Sequence, residues 1–147
     1  MRQFLQRLII TASLLLTGQT MDAAHLVGGE ITYTCLGSNS YQITLRIYRD
    51  CNSGGAGFDN SVNFSVYDIS GNLLFNPSVT KGPTITVPTG TGNPCLTIPP
   101  NICTEYAEYV HTMTLPARLG GYNISYQRCC RNSTITNISA SGKGNTY

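Results

Sequence analysis

The chain has 147 residues, room for one domain of ordinary size and little more. Only 11% of them are charged, against roughly 25% in an average soluble domain, and a formal net charge of +2 is too small to grip a nucleic-acid backbone by releasing its counterions. These figures exclude a large multi-domain enzyme and argue against nucleic-acid binding. Nine Tyr among abundant Thr, Val and Ile, residues that pack well on pleated sheets, predict a mostly β chain.

Residues 1–24 read as an export signal. Arg2 and Arg7 flank a polar start, and the run Leu8 to Leu16 is apolar but far shorter than the about 20 residues of a membrane span. Ala23 and Ala24 follow, so cleavage is expected before His25, although Asp22 departs from an A-x-A-like site. No Cys precedes Cys35 to carry a lipid, and no direct membrane insertion of the mature chain is expected.

Residues 25–131 alternate as strands. In Leu26 to Leu36, Ile31, Tyr33 and Cys35 share one face and Glu30, Thr32 and Thr34 the other, the period of a half-buried strand. Gly37 to Ser40 is a turn, and Tyr41 to Arg49 alternates again with Tyr41, Ile43, Leu45 and Ile47 inward, so the two strands predict a hairpin. A Gly-rich stretch at 52–57 gives way to Val62 to Tyr67, with Val62, Phe64 and Val66 on one side, and Ser70-Gly71-Asn72 turns the chain into Leu73-Leu74-Phe75. Thr84 to Val87, bounded by Pro83 and Pro88, reads as a short edge strand. After a Pro/Gly/Asn-rich loop to Cys103, Glu105 to Leu115 and Tyr122 to Cys130 are long strands joined by Pro116 to Gly121. About seven short strands with turns between them predict an Ig-like antiparallel β-sandwich. Residues 132–147 read as a linker or a truncated continuation.

Six cysteines, Cys35, Cys51, Cys95, Cys103, Cys129 and Cys130, behind an export signal predict disulfide staples in an oxidising compartment. No C-x-x-C pair is present and only His25 and His111 add nitrogen ligands, so no zinc site is expected. Adjacent Cys129 and Cys130 point to opposite faces of a strand and take different partners, which leaves 12 of the 15 connectivities. A local bridge suits Cys95 and Cys103 across a short loop containing Pro99 and Pro100. Cys35 and Cys51 then each take one of Cys129 and Cys130, which leaves two connectivities; strand parity favours Cys51 with Cys130, and Cys35 with Cys129 then needs a bulge because Cys129 has the other parity.

Four ordered motifs carry a resemblance: His25-Leu26-Val27-Gly28-Gly29-Glu30-Ile31-Thr32-Tyr33-Thr34-Cys35, Tyr48-Arg49-Asp50-Cys51-Asn52, Asn93-Pro94-Cys95 and Tyr126-Gln127-Arg128-Cys129-Cys130-Arg131-Asn132. Together they resemble the N-terminal module of large Bacteroidetes surface proteins, long chains carrying PKD-type β-sandwich repeats and a gliding-motility-associated C-terminal region that directs type IX secretion. The resemblance covers most of residues 25–131 and brings no catalytic residue with it.

Each other constellation has a plainer explanation. Asp50-Cys51-Asn52-Ser53-Gly54-Gly55 is similar to the start of a calcium loop, but the twelfth position is Ser61 and only Asp59 adds a carboxylate, so a Gly-rich turn is expected. His25 at a new N-terminus, with His111, would offer three nitrogens to copper on a β-sandwich; a strand histidine among threonines is the ordinary alternative. Glu105 and Glu108, three apart on a strand, face opposite ways and make a poor acid/base pair. A Cys-His nucleophile needs a thiol that the bridges claim. Sequons at Asn63, Asn123, Asn132 and Asn137 carry little weight in an Asn- and Ser/Thr-rich chain. Tyr106, Tyr109, Tyr122 and Tyr126 offer either a sugar-stacking platform or cross-strand packing. The expectation is a secreted structural or adhesive module at the cell surface, with surface glycans or other surface proteins as partners, no cofactor, no metal and no enzyme activity. A carbohydrate-binding module on exposed Tyr and a copper-dependent oxidative enzyme on His25 and His111 are the alternatives.

Overall fold

A computed structural model describes residues 26–52, 57–90 and 99–128, together with Cys95 and Thr97; the expected export signal and residues 132–147 lie outside the described residues. β1 (Leu26–Gly37) and β2 (Ser40–Asp50) form the expected hairpin. Its turn is Ser38-Asn39, with φ of 50° and 60°. Two consecutive positive φ values define the type I′ geometry, whose twist matches that of the flanking strands. Asn and a small polar residue tolerate it better than any β-branched residue would. The register places Cys35 opposite Tyr41 and Leu26 opposite Arg49.

Beyond the hairpin come β3 (Ser61–Asn63), β4 (Ser65–Tyr67), β5 (Leu73–Phe75), β6 (Ser78–Thr86), β7 (Thr104–Thr114) and β8 (Asn123–Ser125). The fold is all-β and sandwich-like: a five-stranded sheet in the order β1-β2-β7-β6-β3 and a three-stranded sheet in the order β5-β4-β8, with every pairing antiparallel. The stretch read as one strand, Val62 to Tyr67, is two strands in different sheets. The crossing point is Phe64, fully buried, whose N–H donates to the Pro77 carbonyl at 3.0 Å. A strand that changes sheets turns the corner of a sandwich, and the side-chain alternation runs through the corner unbroken, so Val62, Phe64 and Val66 all face the core. β6 starts six residues earlier than Thr84. It pairs with β3 through Ser78 to Thr80 and with β7 from Lys81 onward, across an irregularity between Lys81 and Thr84. Pro83 sits inside that irregularity, where the ladder asks for no N–H. The long last strand contracts to Asn123–Ser125 among the described residues.

The core lies between the sheets. Ile43, Leu45 and Ile47 of β2 and Ala107, Tyr109 and Met113 of β7 meet Val62, Phe64, Val66, Val79 and Leu115. Each such aliphatic or aromatic side chain contributes about 1.5–3 kcal/mol by leaving water. Tyr109 is the largest fully buried side chain, and its hydroxyl donates to the Asp59 carbonyl at 2.7 Å. Burial pushes this phenol up to about 12, helped by the neighbouring Asp59.

The disulfide pairing differs from the one read off the sequence. Cys51 bridges Cys103, with Cα atoms 5.3 Å apart, in place of Cys51–Cys130 and Cys95–Cys103. The reason is the central pairing of β2 with β7, which sets Asp50 opposite Thr104 and so brings the next residues, Cys51 and Cys103, together. The Cys51 N–H also donates to the Cys103 carbonyl at 3.1 Å. Cys35 is exposed and unbridged at the opposite end of the ladder, and Cys95 is exposed; Cys129 and Cys130 lie outside the described residues.

Candidate functional site

The two sheets are unequal, and their mismatch leaves a groove among the described residues. β1 is an edge strand of the five-stranded sheet and β8 an edge strand of the three-stranded one. In the β1–β2 register Ile31 lies opposite Leu45 and Tyr33 opposite Ile43, so both belong to the face that β2 turns to the core. The smaller sheet stops short of them. Ile31 is 41% exposed and Tyr33 73% exposed, although the alternation of β1 matches that of a half-buried strand.

The result is a groove of about 620 Å³. Ile31 and Tyr33 of β1 and Tyr41 and Ile43 of β2 form one wall; Tyr122 and Ile124, at and beside β8, face them; Leu115 to Arg118 close the end. The rings of Tyr33 and Tyr41 meet edge-on, with centroids 6.3 Å apart, a favourable aromatic arrangement. The Tyr122 hydroxyl donates to the Pro116 carbonyl at 2.8 Å and fixes the loop between β7 and β8. Arg118 is the charged residue of the lining and lies 3.7 Å from the Asp68 carboxylate. Such a lining suits apolar or aromatic side chains; it holds no nucleophile–base pair.

The opposite face of the large sheet carries a cluster of charges. Glu30, Arg46 and Glu108 are cross-strand neighbours on β1, β2 and β7. Arg46 donates to Glu30 at 3.1 Å and to Glu108 at 2.5 Å, and it lies 5.0 Å from the Tyr106 ring centroid. Hydrogen bonds to Tyr48 and Glu108 hold its guanidinium protonated well beyond the ordinary arginine range. Glu105, on the other face, is bound by Arg49, whose guanidinium lies over the Phe58 ring at 5.4 Å. Both glutamates are thus claimed by arginines on opposite sides of the sheet, an arrangement that ties three strands together.

The residues singled out in the sequence do not gather. Tyr109 is core, Tyr106 stacks against Tyr48 on the charged face with centroids 5.7 Å apart, and Tyr122 and Tyr126 pack on the core from the small sheet. They form no common platform. Tyr122 alone joins the groove, where its aromatic neighbours are Tyr33 and Tyr41. His111 is half-buried opposite Ile43; His25 lies outside the described residues. Among the described residues no three His, Cys, Asp or Glu side chains come together as a metal site. The Asp50 carboxylate accepts the Asn52 N–H at 2.8 Å and shapes the turn after β2, while Asp59 is bound by Arg128 at 2.5 Å. Asn63 and Asn123 are exposed on β3 and β8; Asn132 and Asn137 lie outside the described residues.

No protein-family model matches the chain, and no curated protein and no solved structure matches it.

Proposed function

We propose that the protein is an exported, non-catalytic structural or adhesive β-sandwich module of a bacterial cell-surface protein. The observation that carries this reading is the Cys51–Cys103 bridge. It closes the end of the two central strands of the large sheet, and a structural disulfide of this kind persists in oxidising compartments outside the cytosol. The apolar run Leu8 to Leu16 supplies the matching export signal, and the four sequence motifs supply the resemblance to the N-terminal modules of Bacteroidetes surface proteins, with their links to gliding motility and type IX secretion. Partners are then other surface proteins or surface glycans. The separation of Tyr106, Tyr109, Tyr122 and Tyr126 onto different surfaces weighs against a sugar platform built from those four.

Protease treatment of intact cells tests the proposal. Exposure at the surface predicts that the protein is degraded while a cytosolic marker survives. Persistence of the protein until the cells are lysed, in a soluble fraction with its thiols reduced, would overturn it.

A further inference from the structure

β1 is one edge of the large sheet, and among the described residues it is built unlike the other sheet edges. The edge strands β3, β5 and β8 have three residues each, whereas β1 has twelve, and those from Val27 to Gly37 are all exposed. We infer that β1 is the docking edge for a second copy of this chain, whose own β1 pairs with it antiparallel about a two-fold axis through Thr32 and joins the two large sheets into one. This goes beyond the proposed function and holds wherever the protein works.

Three observations select that occupant. The first is an unguarded edge. Very short edge strands, Lys, Pro and bulges are what keep foreign strands from pairing with a sheet. From Gly28 to Cys35 the β1 ladder runs without a register shift, and this stretch contains no Lys, Arg or Pro. The second is charge. Glu30 is the charged residue of β1, and Arg46 of the same copy neutralises it at 3.1 Å. Such a strand meets its own copy without repulsion in every register that keeps Glu30 away from Glu30. The third is self-complementarity. A two-fold axis normal to the sheet keeps each face continuous, so it passes through a residue. Centred on Thr32, it sets Thr32 opposite Thr32, Glu30 opposite Thr34, and Ile31 opposite Tyr33 twice. Thr–Thr and aromatic–β-branched pairs are favourable cross-strand neighbours, and Ile31 and Tyr33, 41% and 73% exposed, gain apolar cover from the second copy. Centring on Ile31 places Tyr33 against Gly29, centring on Tyr33 places Glu30 against Leu36, and centring on Glu30 opposes two carboxylates. Pairing along one edge stays below the about 1,200 Å² of a standard interface, so the dimer is reversible, with a Kd between about 1 μM and 1 mM.

Sedimentation of the full chain from about 1 μM to 1 mM provides the test, together with two lysine variants on one exposed face of β1, each checked for a native thermal melt. The expected result is a reversible monomer–dimer equilibrium that the variants move in opposite directions. Thr32→Lys sets two ammonium groups against each other at the axis and should weaken the dimer at least about 3-fold. Thr34→Lys sets an ammonium group against Glu30 of the second copy at two symmetric places and should tighten it about 2- to 30-fold. A chain that stays monomeric throughout the range overturns the inference. So does a dimer that the variants move in the same direction or not at all. For the unaltered chain, NMR on a mixture of differently isotope-labelled copies should show Ile31 methyl groups of one copy against the Tyr33 ring of the other, and the absence of that contact at 1 mM, about the weakest Kd expected, counts against the pairing in the same way. The register also sets the two Cys35 residues six positions apart, about 20 Å at roughly 3.3 Å per residue, beyond the about 7 Å Cα reach of a disulfide. A dimer held by a Cys35–Cys35 bridge would therefore overturn it as well.

Discussion

Asp68 shows how a single carboxylate organises a turn. It is the one buried charged residue among the described residues, and it accepts the N–H groups of Asn72 and Ser70, both at 2.9 Å, and the Asn72 side-chain amide at 3.2 Å. These bonds, Asn72 foremost, with Arg118 beyond them, hold the carboxyl below its ordinary value. A group whose folded pKa is depressed stabilises the fold above its unfolded pKa, near 4, and loses that contribution as pH falls through the folded value. The melting temperature should therefore drop on acidification below about pH 4, and Asp68→Asn should flatten that part of the profile; thermal melts from pH 6 to 2 check it. Tyr109 acts at the other end of the scale. Its folded value of about 12 exceeds the unfolded value near 10, so stability present at neutral pH declines from about pH 10 upward. Tyr109→Phe should weaken that alkaline loss, at a cost of about 1 kcal/mol for the missing bond to Asp59.

Gly120 and Gly71 offer a matched pair at the same scale. Both have left-handed backbone, with φ of +81° and +82°. A Cβ at Gly71 meets nothing within 4 Å, whereas one at Gly120 would lie 2.4 Å from Ile69 Cδ1 and 2.9 Å from its Cβ. Gly71→Ala should cost only the conformational penalty, about 1–2 kcal/mol. Gly120→Ala should cost clearly more, because the clash adds to the strain; urea unfolding of the two variants separates the contributions.

Among elements, the central β2–β7 pair is the one that the disulfide locks. The bridge spans a sequence separation of 52 residues, a long closed loop, and the chain entropy it removes from the unfolded state corresponds to about 2–4 kcal/mol. Replacing both Cys51 and Cys103 by Ser should lower the denaturation midpoint accordingly, while replacing Cys35 by Ser should leave it almost unchanged. The hairpin of β1 and β2 and the extent of β7 were legible in the sequence because alternation and turn chemistry are local signals. The pairing of β2 with β7 was not, because it joins residues more than fifty positions apart, for example Arg49 with Glu105, and no local pattern encodes which strands become neighbours. The same limit hid the corner at Phe64: alternation continues across it, so one strand and two strands look alike.

At the scale of the whole molecule the sandwich-like fold follows from composition and periodicity, while the groove follows from a mismatch that neither reveals. Ile31 and Tyr33 carry the pattern of core residues, and they are exposed because five strands face three. Nothing within β1 states how far the opposite sheet extends. The six cysteines and the apolar run Leu8 to Leu16 underlie the proposal of an exported module, but which cysteines pair depended on the same long-range topology. Disulfide mapping of the unreduced protein recovered from its native cells joins both strands of the account. An exported module with this topology predicts a peptide linking Cys51 to Cys103 in a chain that lacks Leu8 to Leu16. A chain that retains that run with its cysteines reduced, or a peptide linking Cys51 to Cys130, would contradict it.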